Sequence, residues 1–187
     1  LKVKRRVGYL SEKVGLYENI TAKQNLKYLA QLNRIPDRVA IKRIDEALST
    51  VGLNQVADKK VRTFSRGMKQ RLGIANVIIK KPMVALLDEP TQGIDPQGVV
   101  EILELFNYLN QEEGVTIMLS SHLIHQVQQI CDRVGIMVSG NMVIRGTIED
   151  LVRAEDQKWV LEIEAPDLTK QLMDNISEIK GFRNIEK

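Results

Sequence analysis

Residues 83–95 read Met83-Val84-Ala85-Leu86-Leu87-Asp88-Glu89-Pro90-Thr91-Gln92-Gly93-Ile94-Asp95, and the reading of the fold turns on them. Met83 to Leu87 is a short continuous apolar run, the pattern of a strand in a parallel sheet covered on both faces. Two carboxylates stand at its end, where ligand and metal sites of open α/β sheets lie. Asp88 there can hold Mg²⁺, a hard ion that takes oxygen ligands and keeps several waters. Glu89, on the other side of the backbone, can point at a water that attacks a phosphate. Taken alone, an apolar run ending in Asp-Glu is at least as well explained by two acids marking a strand exit, so its weight rests on what surrounds it.

Working outward, the chain before this strand is mostly helical between residues 21 and 80. Thr21 and Gln24 form a capping-box pattern ahead of a helix from about Ala22 to Asn33. A second helix carries Val39, Ile44, Ala47, Leu48 and Val51, with Gly52 placed to end it. A third opens behind Ser65 and runs to about Ile79, before Pro82. After residue 95 come a helix over Gln97 to Asn110, a second buried strand over Val115 to Leu119, and a helix carrying Leu123, Ile124, Val127 and Ile130. Strand, helix, strand, helix is the α/β pattern, with a mostly parallel sheet. Val134–Val138 and Met142–Arg145 around Ser139-Gly140-Asn141 predict a hairpin, and Thr147 with Asp150 can cap a short helix. Trp159–Glu164 alternates like a strand, Asp167–Asn175 suits a helix, and a strand can start at Gly181. Domain organisation is therefore 1–155 plus a partial appended subdomain over 156–187.

The 187 residues carry 27 Lys+Arg against 24 Asp+Glu, and 43% are hydrophobic. That supports a folded core of one domain or slightly more and excludes disordered or fibrous classes. The surplus of three positive charges is spread through mixed-sign sequence, so no nucleic-acid partner is expected. Cys131 is the single cysteine; it rules out an internal disulfide and a Cys-rich zinc site, fits a reducing cytosol, and reads as core beside Val127 and Ile130. No run approaches the roughly 18 apolar residues of a membrane span. Lys59-Lys60 and Lys80-Lys81 read as solvated charges, and His125 as structural. The start at Leu1, running directly into apolar Val7–Leu10, suggests a fragment of a longer chain.

Around the Asp-Glu pair stand Phe64-Ser65-Arg66-Gly67-Met68-Lys69-Gln70-Arg71, Gly93-Ile94-Asp95-Pro96 and Ser120-Ser121-His122. Together, over about Val7 to Gly146 and in this order, they resemble an ATP-binding cassette (ABC) transporter ATPase. The resemblance implies a P-loop-NTPase-like fold, a mostly parallel sheet with a helical signature subdomain, and ATP and Mg²⁺ as cofactors. Asp88 matches the Walker B aspartate that orients the metal, Glu89 the catalytic glutamate, His122 the switch histidine at the γ-phosphate, and Asp95 the D-loop aspartate. Ser65, Arg66, Gly67 and Met68 fall on the signature loop, which offers the free N–H groups of a helix start to a nucleotide. Tyr9-Leu10-Ser11-Glu12 resembles the loop whose glutamine joins the metal and couples to the transmembrane partner; Glu12 replaces that glutamine here. Phe-Ser-Arg-Gly-Met replaces the common Leu-Ser-Gly-Gly-Gln, a spelling similar to exporters of the drug, antibiotic and lipid type.

No G-x-x-x-x-G-K-[ST] occurs, so the phosphate-wrapping P-loop and the first strands of such a cassette are absent from this sequence. The resemblance implies a subunit that pairs with a second ABC ATPase subunit and a transmembrane permease subunit, cytoplasmic and peripheral on the inner face of the cell membrane. Alone, the chain is expected to bind ATP poorly and to be inactive. The alternative reading is a non-catalytic, truncated cassette acting as an interaction or regulatory module. A chromosome-maintenance ATPase is disfavoured because residues 13 to 64 are too few for a coiled-coil insertion; a translation-type cassette stays open.

Overall fold

A computed structural model of the chain describes residues 6–150; the expectations for Trp159–Glu164, Asp167–Asn175 and Gly181 onward lie outside the described residues. The chain divides between Ile148 and Glu149, and every element named below belongs to the first unit. In order these are β1 (Val7–Leu10), α1 (Ala22–Leu32), α2 (Asp37–Thr50), α3 (Arg66–Ile78), β2 (Val84–Asp88), α4 (Pro96–Gln111), β3 (Thr116–Ser120), α5 (Ile124–Ile130), β4 (Arg133–Val138) and β5 (Asn141–Thr147).

Local chemistry sets the helix starts. Thr21 Oγ1 accepts the Gln24 N–H at 3.1 Å while Gln24 Oε1 accepts the Thr21 N–H at 2.9 Å, completing the capping box of α1. Ser65 Oγ accepts the Met68 N–H at 3.2 Å and opens α3. Asp95 Oδ2 accepts the Gly98 N–H at 3.1 Å and opens α4, with Pro96 at the first helical position. Past the end of α2, Gly52 takes φ +70°, a left-handed conformation in which glycine carries no Cβ penalty.

Strands β1, β2 and β3 form a parallel sheet in that order. The helical segment α1–α3 connects β1 to β2, and α4 connects β2 to β3. Register puts Leu10 beside Leu87 and Leu87 beside Leu119, on the face that packs into the core. That core holds Leu26, Ile44, Leu48, Leu72, Ile74, Ile79, Ile102 and Phe106, all buried. Helix α3 comes close enough to the end of β1 that a Cβ on Gly73 would lie 2.7 Å from Leu10 Cδ1 and from Val14 Cγ1. Residue 73 therefore has to be small.

Three expectations are corrected here. Strand β2 is covered on one face only among the described residues: Tyr9, Leu86 and Met118 lie in one row across the sheet, and Tyr9 and Met118 are 61% and 66% exposed. Met83 lies outside β2 and is exposed, while Asp88 is the strand's last residue. Lys80 is not a solvated charge. Its Nζ donates to the Val7 carbonyl at 2.9 Å, and partial burial holds its pKa below the ordinary lysine value because the charged form is desolvated. Lys81, its neighbour, is exposed and faces Glu46 at 3.8 Å. Cys131 is half-buried rather than fully in the core; burial, with Asp132 beside it, raises its pKa and keeps the thiol protonated. The hairpin closes through two residues, Ser139 and Gly140, both at positive φ, which suits the twist of its strands.

Candidate functional site

Strand β2 delivers Asp88 to the carboxyl end of the sheet, next to the end of β3, where Asp88 pairs in register with Ser120. The Ser120 hydroxyl donates to Asp88 Oδ1 at 2.6 Å and accepts the Glu89 N–H at 3.1 Å. One serine thus fixes one oxygen of the first acid and the backbone of the second. Glu89 has φ +44°, a left-handed conformation costing roughly 1–2 kcal/mol for a residue with a Cβ. That turn sends the Glu89 side chain away from the strand direction and toward His122. His122 Nδ1 lies 3.0 Å from Glu89 Oε1 and 3.1 Å from Oε2. The histidine is open to water, with its side chain 59% exposed against 21% for Glu89. Catalytic candidates 33 residues apart in sequence are in hydrogen-bond contact.

The loop after Glu89 is held from behind. Pro90 and Thr91 are buried, and the Thr91 hydroxyl donates to Gln126 Oε1 of α5 at 2.6 Å. Gly93 at φ +66° then turns the chain to Asp95. Arg66 packs its guanidinium over Gly93, and the Ile94 side chain lies 3.8 Å from where a Cβ on Gly67 would sit. The start of α3 and the loop carrying Gly93 and Ile94 are therefore packed on each other within this chain. On its other flank α3 meets the loop after β1: Lys69 pairs with Glu18, and the Glu18 carbonyl accepts the Arg62 N–H at 2.9 Å. Asn25, fully buried, holds that loop at Tyr17 by donating to its carbonyl and accepting its N–H.

Of the residues singled out by sequence, Asp88, Glu89 and His122 are brought together; Ser65, Arg66, Gly67 and Met68 open α3; and Asp95 caps α4. Glu12 is exposed in the loop leaving β1, the strand beside β2, with no hydrogen bond or ion pair of its side chain to Asp88. Among the described residues no three His, Cys, Asp or Glu side chains cluster as a ready-made metal cage. The donor set nevertheless suits Mg²⁺, which is commonly held by one or two carboxylates with water and substrate phosphate completing its shell. His125 is exposed.

Three contributors escaped the sequence reading. Ser120 stood within a noted string but carried no assigned role. Thr91 and Gln126 are neutral residues whose only signal is a polar side chain next to a proline turn and in a short helix. Two surface depressions, of about 620 and 520 Å³, lie elsewhere. The larger is lined by Lys59, Lys60, Arg62, Val56, Thr63 and Met68 beside the start of α3; the other is lined by residues of α2 with Lys81. No helix among the described residues is long and apolar enough to cross a membrane.

The ABC transporter family matches residues 1–92. The chain is 40% identical over 150 residues to the linearmycin resistance ATP-binding protein LnrL of Bacillus subtilis, covering 80% of this chain and 48% of that protein. It is 38% identical over 172 residues to the bacitracin transport ATP-binding protein BcrA of Bacillus licheniformis, covering 92% of this chain and 55% of that one. The chain thus spans about half the length of these curated relatives. Among solved structures, cbiO1 of Clostridium perfringens, part of the ABC transporter complex cbiONQ, superposes with a TM-score of 0.74 at 31% identity, over 83% of this chain and 62% of that one. The fold, the motif order and these likenesses agree, and the chain belongs to the ABC transporter family of ATP-binding proteins.

Proposed function

We propose that this chain provides the hydrolytic and signature parts of an ATPase subunit that powers export through a separate transmembrane permease, working with a P-loop carried by polypeptide outside this sequence. The observation that carries the reading is the contact between Glu89 and His122 at the end of β2, beside Asp88. Asp88, with Glu12 on the neighbouring loop, would hold Mg²⁺, which would supply charge neutralisation at the phosphates. Glu89 accepts a hydrogen bond from the attacking water and polarises it, and His122 steadies Glu89 and reaches the γ-phosphate. Ser65, Arg66, Gly67 and Met68 present the start of α3 to the nucleotide of a second ABC ATPase subunit, and Asp95 communicates across that dimer. Two relatives named for antibiotic resistance and transport support an export role, and the reading puts the subunit at the inner face of the membrane beside its permease.

In the P-loop-bearing polypeptide, Glu89→Gln lowers steady-state ATP turnover by about 10²–10⁴-fold and leaves ATP binding intact. Unchanged turnover removes Glu89 from its role. The chain alone is expected to bind ATP weakly, since its sequence contains no G-x-x-x-x-G-K-[ST]; equilibrium dialysis against labelled ATP checks this. Tight binding by the isolated chain would instead favour an interaction module with a nucleotide site of its own.

A further inference from the structure

We propose that Thr91 and Gln126 are a positioning pair that holds the Glu89 loop against α5 and thereby sets the separation of Glu89 and His122. The proposal rests on the reading of those two residues as the reacting pair. Three contacts join the segment after β2 to the end of β3 and the segment that follows it: Ser120 to the Glu89 N–H, His122 to the Glu89 carboxylate, and Thr91 to Gln126. The first two involve exposed side chains. The third is buried at both ends, with Thr91 at 4% and Gln126 at 6% exposure, and at 2.6 Å it is among the shortest hydrogen bonds of the described residues.

That contrast divides the labour. An exposed contact such as His122 to Glu89 contributes little and is readily exchanged for water or a phosphate oxygen. A buried hydroxyl-to-amide bond is not, because breaking it strands two polar groups without water. The connection from the buried bond to the reacting groups is stiff on both sides. Pro90, itself fully buried, separates Thr91 from Glu89 and fixes its own φ. On the other side Gln126 sits in α5, whose entry is tied by Ser121 Oγ accepting the Leu123 N–H at 3.1 Å, directly after His122. Displacing Thr91 from Gln126 thus moves Glu89 relative to His122.

The test uses the P-loop-bearing ATPase with its partners, reading kcat and the KM for ATP separately. Thr91→Val removes the hydroxyl at nearly constant shape and is expected to lower kcat by about tenfold or more, within the range that a sub-ångström to ångström misplacement costs, with KM unchanged within about twofold. Thr91→Ser restores the donor and brings kcat back to within about threefold. Gln126→Met produces the same kcat loss from the other side, and Thr91→Val/Gln126→Met is no worse than either single change, as for two partners in one interaction. Wild-type kcat in Thr91→Val, equal losses in Val and Ser, or a change confined to KM overturns the proposal. If the single variants fail to bind ATP, the doubly apolar variant decides: it must fold and still lose kcat, and its failure to fold also counts against the pair as a positioning device. Glu89→Gln run alongside separates the two readings, since full turnover there removes the reacting pair itself, whereas loss there with normal Thr91→Val turnover removes only this pair.

Discussion

One face of the three-stranded sheet carries Leu10, Ala85 and Leu87, none more than 4% exposed; the other carries Tyr9 and Met118, 61% and 66% exposed, with Leu86 between them in register. Both rows are apolar. The difference in burial is therefore not a difference in composition: β2 is apolar at every position from Val84 to Leu87, as a strand with a layer on each side should be. Residues 6–150 supply one of those layers. The lesson is that continuous apolar runs record what a strand is built to meet, and an exposed row of large apolar side chains marks a surface made for a partner or another segment.

Three measurements press on that contrast. Leu87→Ala, on the covered face, should destabilise the chain by about 2–5 kcal/mol in urea unfolding, the cost of a core cavity. Gly8→Ala, also on that face, adds a Cβ into contact with Val77 Cγ1. Val77 is buried and branched, so it cannot move aside, and a loss of about 1–3 kcal/mol is expected. Met118→Ser, on the open face, should shift stability by no more than about 0.5 kcal/mol in this chain. A large loss there would mean the row is covered after all. Repeating Met118→Ser in a P-loop-bearing polypeptide sharpens the comparison: a cost rising above about 1 kcal/mol would place the added segment over Tyr9, Leu86 and Met118.

The parts of the molecule that sequence made legible are those written in local spacing. Thr21 and Gln24 stand three apart because the capping box needs that reach, and Asp88-Glu89 follow an apolar run because a strand must end where the site begins. The approach of His122 to Glu89 was readable only through the order of motifs in a family resemblance, since no spacing rule joins residues so far apart. What stayed illegible depends on packing in three dimensions. Lys80 looks like half of a solvated pair until the β1 carbonyl it caps is known. Thr91 and Gln126 have nothing in their neighbourhoods to distinguish them from loop and surface amides, because their partnership is made by the meeting of two segments. The one-sided cover of the sheet could not be read either, since the apolar runs describe a demand and not its fulfilment.

The left-handed backbone of Glu89 has a consequence for variation at this position. Glycine would adopt φ +44° freely, so folding alone has no use for a carboxylate there. A library selected only for abundance or thermal resistance should drift toward Gly, and to a lesser degree Asn, at residue 89, whereas one selected for energy-driven transport should keep Glu. Divergence between two such populations at a single site would measure how far function, rather than folding, maintains the residue.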